Sequence, residues 1–227
     1  MRKENAAVAA FVRAVDKAYR EACDPPLADP MSKYMRYRFP FLGLPSPRQK
    51  EALQPLLRKD FDEPFLIHAS ASLWKKPERE FHYAGTLLLA KNHRKLSPAS
   101  LAHLRMGIEM NSWWDTVDTL SSRVVGPLVL RYPKLAAEMD EWSHDANFWI
   151  RRCAIIHQLA FKERTDVERL FAYCAANAND KEFFIRKAIG WALRQYARTD
   201  PRAIVEFVQQ HSELSGLSRR EALKHCL

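Results

Sequence analysis

The chain has 227 residues, enough for one sizeable domain or a short array of repeats. Hydrophobic residues make up 47% of it, which is typical of a globular protein. The net charge of +9 is unusually basic and nominates a polyanionic partner such as nucleic acid, although many basic proteins bind no polyanion.

The composition argues against several kinds of site. The four cysteines show no C-x-x-C pairing and predict neither a disulfide framework nor a zinc site; they are Cys23, Cys153, Cys174 and Cys226. No H-E-x-x-H motif and no glycine-rich phosphate loop occurs. The apolar stretch 6–12 is short and precedes charged residues, which predicts an amphipathic helix rather than a signal peptide. With no membrane span, we expect a reduced, cytoplasmic protein.

The pattern predicts an all-α chain. There are only six glycines, few runs alternate with period 2, and helical periodicity recurs throughout. We expect about a dozen helices with short connections and no strands. Two helix starts are marked by a capping residue before proline, at Ser97-Pro98 and Asp200-Pro201.

Two segments about 35 residues apart are alike. Residues 147–156 and 182–189 share an aromatic pair, an isoleucine, two basic residues and then small or apolar positions, and residues 81–88 are a weaker copy. A period of 35–40 residues with two helices per unit predicts a HEAT-like repeat α-solenoid over residues 1–227, as a single domain with a basic concave face.

The run 111–118, Asn-Ser-Trp-Trp-Asp-Thr-Val-Asp, is the most informative segment. Read as a helix, it has one apolar line, formed by Trp113, Val117, Leu120 and Val124. The next line is polar except for its tryptophan, and it consists of Trp114, Asp118 and Ser121. An indole one turn from a carboxylate, outside the apolar line, suits the binding of a cationic group.

Two further residues stand out on the predicted helices. Arg152 lies among apolar neighbours, so it either reaches into a groove or pairs with a nearby acid as a structural arginine. Trp191 has Lys187 one turn before it and Arg194 one turn after it. That setting suits contact with a polyanion backbone, while burial between repeats is the alternative.

The residues limit the chemistry. No nucleophile–base pair is evident, and Asp115 and Asp118 lie on different helix lines, which argues against a paired-carboxylate glycosidase. A single carboxylate suffices when the leaving group already carries positive charge, as in a purine alkylated at N3 or N7, because no general acid is needed. The composition and the residue spacing are compatible with this reaction but do not distinguish it from others.

Four motifs in this order carry a resemblance over most of the chain. They are Tyr34-Met35 with Phe39-Pro40-Phe41-Leu42-Gly43, then Trp113-Trp114-Asp115-Thr116-Val117-Asp118, then Trp149-Ile150-Arg151-Arg152, then Arg186-Lys187-Ala188-Ile189-Gly190-Trp191 with Arg194. With them the chain resembles the HEAT-repeat DNA alkylation-repair glycosylases of the AlkD type.

The resemblance implies a monofunctional glycosylase. Such enzymes release 3-methyladenine and 7-methylguanine from duplex DNA without a metal, a cofactor or base flipping, and leave an abasic site. It assigns catalytic roles to Trp114, Asp118 and Trp191. It assigns DNA contacts to Arg152, Arg194, Lys187 and Tyr34. Lys187 as a Schiff-base nucleophile for a lyase is the less favoured alternative.

One departure from the family pattern is Pro45, which stands where some members carry a glutamine that approaches DNA. Two other functions stay open: a non-catalytic nucleic-acid-binding solenoid and a protein-binding HEAT scaffold. We expect a monomer that binds duplex DNA containing alkylated bases and does not bind membranes.

Overall fold

The computed structural model describes the backbone of residues 2–226 and the side chains of residues 6–224 and 226. Its α-helices are α1 (Arg2–Ala22), α2 (Ala28–Tyr34), α3 (Ser46–Leu53), α4 (Glu63–Trp74), α5 (Arg79–Lys91), α6 (Ser100–Glu109), α7 (Trp114–Leu120), α8 (Gly126–Arg131), α9 (Ala136–Trp142), α10 (Phe148–Ile156), α11 (Val167–Ala176), α12 (Phe183–Tyr196), α13 (Pro201–Gln210) and α14 (Gly216–Ala222). Residues 2–226 contain no strand, which confirms the all-α prediction. None of the described helices is both long and apolar enough to cross a membrane.

The helices form two compact units, Met1–His103 and Leu104–Leu227. The single repeat domain with a basic concave face therefore stays a prediction. The predicted helix start at Asp200-Pro201 is confirmed, because the Asp200 carboxylate accepts a hydrogen bond from the Ala203 N–H. At Ser97-Pro98 the chain forms a turn, in which the Leu101 N–H donates to the Pro98 carbonyl, and α6 itself begins two residues after Pro98, at Ser100.

In the first unit, a buried carboxylate shapes the loop before α3. The backbone N–H groups of Leu42, Gly43 and Leu44 donate to Glu80 over 3.0–3.1 Å. Gly43 has a φ of +87°, and a Cβ there would lie 2.2 Å from the Asp24 carbonyl oxygen. Glycine is therefore required at this point of the Phe-Leu-Gly motif. Pro45 follows in an extended conformation and leads into α3.

The end of α2 is closed by a Schellman motif without glycine. The Arg36 N–H donates to the Lys33 carbonyl, and the Tyr37 N–H donates to the Ser32 carbonyl over 2.7 Å. Arg36 and Tyr37 both have left-handed backbones, with φ of 56° and 55°. Each such residue costs about 1–2 kcal/mol relative to a right-handed conformation.

In the second unit, α10 packs against both α7 and α12. The two similar segments begin α10 and α12 in the same way. The side chains of Asn147 and Glu182 each accept a hydrogen bond from the backbone N–H two residues later. Asp145 and Asp180 each accept one from the N–H of that capping residue. The two segments that are similar in sequence therefore share the same hydrogen-bonding pattern at the start of their helices.

The helix in the run 111–118 starts later than the pattern predicts. Asn111 has a left-handed backbone and Trp113 is extended, so α7 begins only at Trp114. The predicted apolar line is nevertheless buried, with Trp113 at 4% exposure and its other three members at 0%. The prediction for Ser121 is wrong, because its side chain is buried and its hydroxyl donates to the Val117 carbonyl over 2.6 Å.

A π-helical turn, Ser121–Val125, joins α7 to α8. Pro127 follows in the first turn of α8, where it lacks an N–H and crowds the carbonyl four residues before it. A widened turn accommodates both effects. Gly126 sits against α10, since a Cβ there would lie 2.1 Å from the His157 carbonyl oxygen.

A buried histidine, His157, and a half-buried one, His103, make stability depend on pH. Burial lowers the pKa of His103 in the first unit and of His157 in the second to about 4, from an ordinary value of 6.5. Below pH 6.5 these histidines are therefore protonated in the unfolded chain but stay neutral in the folded chain. The free energy of unfolding that is present above pH 6.5 is lost progressively between pH 6.5 and about 4. We expect chemical denaturation to show this loss, and His157→Gln to flatten it. Constant stability across that window would contradict the assignment.

Candidate active site

The centre of the second unit is a bidentate ion pair between α7 and α10. The Arg152 Nε donates to Asp118 Oδ1 over 2.7 Å, and its Nη2 donates to Oδ2 over 2.8 Å. Nη1 donates to the Phe184 carbonyl at the start of α12. The Arg152 guanidinium therefore connects α7, α10 and α12, and its two hydrogen bonds fix the orientation of the Asp118 carboxylate.

The pair is unequally accessible. The Arg152 side chain is 5% exposed, whereas that of Asp118 is 17% exposed. Each carboxylate oxygen can accept more than one hydrogen bond, so Asp118 keeps acceptor capacity on its open side. Arg152 has little surface for an external ligand, so the structure matches the second alternative from the sequence: Arg152 pairs with a nearby acid. That acid, Asp118, is the candidate catalytic residue.

Aromatic rings pack beside this pair. The Trp113 and Trp149 rings lie 5.0 and 4.9 Å from the ring of Phe184. Trp113 and Trp149 are themselves 5.9 Å apart. Trp113 and Trp149 are buried and Phe184 is half-buried, and the three rings join the starts of α7, α10 and α12. The Arg152 guanidinium lies 6.0 Å from the centroid of the Phe184 ring, so the cluster packs beside the cation that orients the carboxylate.

Burial raises the pKa of Asp118 above its ordinary value. The hydrogen bonds and charge of Arg152 oppose this effect, while the nearby Asp115 adds to it. Desolvation dominates in a site so enclosed. Cys153, also buried here, has its thiol pKa raised to about 12 by burial and stays neutral.

Trp114 is the first residue of α7 and is partly exposed, one turn before Asp118. The structure thus places an accessible indole and an oriented carboxylate on successive turns of one helix. Such a surface can bind a group that carries or develops positive charge, through the ring quadrupole and the carboxylate together.

Trp191 lies on α12, seven residues after Phe184 or about 10 Å along the helix axis. Its indole is partly exposed, and the turns before and after it carry Lys187 and Arg194. A common cradle of Trp114 and Trp191 stays a prediction.

Both cations beside Trp191 are paired with one carboxylate of α14. Lys187 Nζ lies 3.1 Å from Glu221 Oε1, and Arg194 donates to Glu221 Oε2. The side chains of Lys187 and Arg194 remain 37% and 24% exposed. The three residues together carry a net charge of +1 rather than +2.

The sequence prediction missed Glu221 because it lies 27 residues from Arg194. The signal that could have found it is Gly190, whose Cβ would lie 2.5 Å from the Cβ of Glu221. A glycine inside a helix beside two cations indicates close approach of another helix.

The remaining predicted residue, Tyr34, lies in the first unit at the end of α2 and is 72% exposed. Among the described residues, no three His, Cys, Asp or Glu side chains converge as metal ligands.

Comparison with known proteins identifies the family. The family model described as "DNA alkylation repair enzyme" matches residues 15–226. A solved structure of a predicted DNA alkylation repair enzyme from Enterococcus faecalis is similar, with 30% sequence identity and a TM-score of 0.84. The similarity covers 89% of this chain and 96% of that one. A search of curated protein sequences found no significant match. The all-helical HEAT-like fold and the family model agree: the chain belongs to the DNA alkylation repair enzyme family.

Proposed function

We propose that this protein is a monofunctional glycosylase of the AlkD type that releases N3- and N7-alkylpurines from duplex DNA. The observation that carries the proposal is the Asp118 carboxylate, oriented by Arg152 and partly open, one turn from the accessible indole of Trp114.

The reaction needs only this carboxylate. An alkylated purine such as 7-methylguanine or 3-methyladenine is already cationic, so the bond from C1′ to its nitrogen breaks without protonation of the base. The bonding electrons leave with the base, which becomes neutral. Asp118 stabilises the oxocarbenium-like sugar and orients a water, whose oxygen bonds to C1′ while its proton passes to solvent. An abasic site remains.

The indoles and the arginine have supporting roles. Trp114 and Trp191 offer aromatic faces to the cationic base and to sugar C–H groups, and the lesion stays unflipped. Arg152 orients Asp118. Its predicted phosphate contact would have to form on the small part of the guanidinium that is not buried.

Lys187, Arg194 and Tyr34 are the proposed contacts to the DNA backbone. Lys187 keeps two N–H donors, and Arg194 keeps four, beyond those used on Glu221. A lyase is disfavoured, because a Lys187 ammonium paired with Glu221 acts as a donor and not as a nucleophile.

A non-catalytic DNA-binding relative is the second candidate. Arg152 is almost fully buried on Asp118, as expected for an ion pair that is purely structural. Cytoplasmic location, a monomeric state and the rank order of lesions stay predictions.

Asp118→Asn separates the two candidates. We expect it to lower release of 7-methylguanine from a defined duplex, with chelator present, by about 100-fold or more, because an amide cannot stabilise the oxocarbenium. It should also destabilise the fold by up to about 3–5 kcal/mol, since Arg152 loses its charged partner. The assay temperature is therefore chosen below the melting temperature measured for the variant.

Asp115→Asn is the matched control, because it makes the same change on the same helix. It should keep most of the activity. Release of 7-methylguanine at the wild-type rate by folded Asp118→Asn would contradict the glycosylase mechanism. Duplex binding by the wild type without base release would favour the non-catalytic candidate.

The pH dependence tests the state of the carboxylate. Protonated Asp118 cannot stabilise a cation, and burial raises its pKa, so single-turnover release should fall at a higher pH than an exposed aspartate would give. Arg152→Gln should shift this acid limb further upward, because Arg152 opposes the effect of burial. Circular dichroism at each pH separates unfolding from titration. An acid limb unmoved by Arg152→Gln would speak against Asp118 as the titrating group.

Glu221→Gln tests the cation pair beside Trp191. Removing the carboxylate frees one net positive charge, so undamaged duplex should bind more tightly at low salt, with a salt slope steeper by about one. Glu206→Gln, on the exposed face of α13, makes the same charge change as a control. Equal effects of the two variants would show that Glu221 affects DNA only through overall charge.

A further inference from the structure

We propose that the turn Lys33–Arg38, here called the basic turn, is a second nucleic-acid contact, in which Tyr37 packs on the sugars of a DNA strand and Arg36 binds phosphate. The inference deepens the proposed function by naming how the first unit meets the duplex. It adds Arg36 and Tyr37 to Tyr34.

The charge of this region is one-sided. No acidic residue occurs from Pro30 to Lys50, while the basic turn alone carries Lys33, Arg36 and Arg38. All three cations are exposed. A cluster of exposed cations of one sign matches the phosphates of a nucleic-acid strand.

Two aromatic rings stand in the same turn. Tyr34 is 72% exposed and Tyr37 is 62% exposed, the two highest values among the large hydrophobic side chains of the described residues. Aromatic faces between cations are the usual combination for holding sugars or bases together with their phosphates.

Hydrogen bonds and a buried ring fix the conformation of the basic turn. The Ser32 hydroxyl donates to the Phe39 carbonyl over 2.8 Å, next to the two Schellman hydrogen bonds. The Phe39 ring is buried, with the Arg79 guanidinium 3.9 Å from its centroid. A fixed backbone presents its side chains to a partner with little loss of entropy.

The backbone conformation points to a function of the side chains. Arg36 and Tyr37 occupy left-handed positions that glycine or asparagine would fill with less strain. Both side chains are exposed, so packing of the fold does not require them. Residues with strained backbones cluster at ligand-binding sites, where the surrounding structure holds them in place.

A duplex fits this turn better than a membrane or a protein. Met35 is the one aliphatic residue of the turn and is buried, so the turn has no extended apolar face that would enter a bilayer. The flanking cations would be desolvated without compensation against an apolar protein surface.

The experiment uses asparagine substitutions, which suit the left-handed backbone and spare the fold. Tyr37→Asn should keep or raise the melting temperature and weaken binding of a labelled, undamaged duplex by about five-fold or more, with the salt slope unchanged. Arg36→Asn should weaken binding and lower the salt slope by about one. Lys59→Asn, an exposed cation of the same unit outside the turn, is the control.

Binding of both variants at the wild-type or Lys59→Asn level would overturn the inference. So would unchanged duplex binding together with lost binding to phosphatidylserine vesicles, which would assign the turn to a membrane. Base release by the wild type is measured in parallel. Its absence, with weaker duplex binding by Tyr37→Asn, would refute the glycosylase and leave the turn as a DNA contact.

Discussion

The second unit depends on one ion pair, in which Arg152 is buried and Asp118 is partly exposed. Arg152 binds both oxygens of Asp118 and the backbone of Phe184, so it connects α7, α10 and α12. A buried pair gains little over apolar packing, but loss of one partner costs about 3–5 kcal/mol. The position of the carboxylate therefore depends on the same contact that aligns the helices.

In the proposed reaction, this constraint has a chemical use. A carboxylate with a fixed orientation, in surroundings that disfavour its charge, interacts strongly with a developing cation. The opposite arrangement occurs further along α12, where one acid, Glu221, holds Lys187 and Arg194. In the proposed complex, the oriented carboxylate of Asp118 suits the cationic base, and the cations held by Glu221 suit the anionic DNA backbone.

The sequence predicted what depends on local periodicity. Val117, Leu120 and Val124 are buried, and Trp114 and Asp118 share a helix. The pattern failed at Ser121, because this residue lies one turn after Val117 at the border of the apolar line, where its side chain is buried and its hydroxyl donates to the Val117 carbonyl. Glu221 and the bidentate geometry of Arg152 depend on contacts between distant helices. The left-handed Arg36 and Tyr37 lack the glycine that normally marks such a turn.

A double-mutant cycle tests the central claim, that Asp118 and Arg152 act as one catalytic unit. Single-turnover release of 7-methylguanine would be measured for wild type, Asp118→Asn, Arg152→Gln and the double variant, each at a temperature where it is folded. The account predicts strong non-additivity, with the double variant little slower than Asp118→Asn and a coupling above about 1 kcal/mol. Independent, multiplicative losses would contradict it.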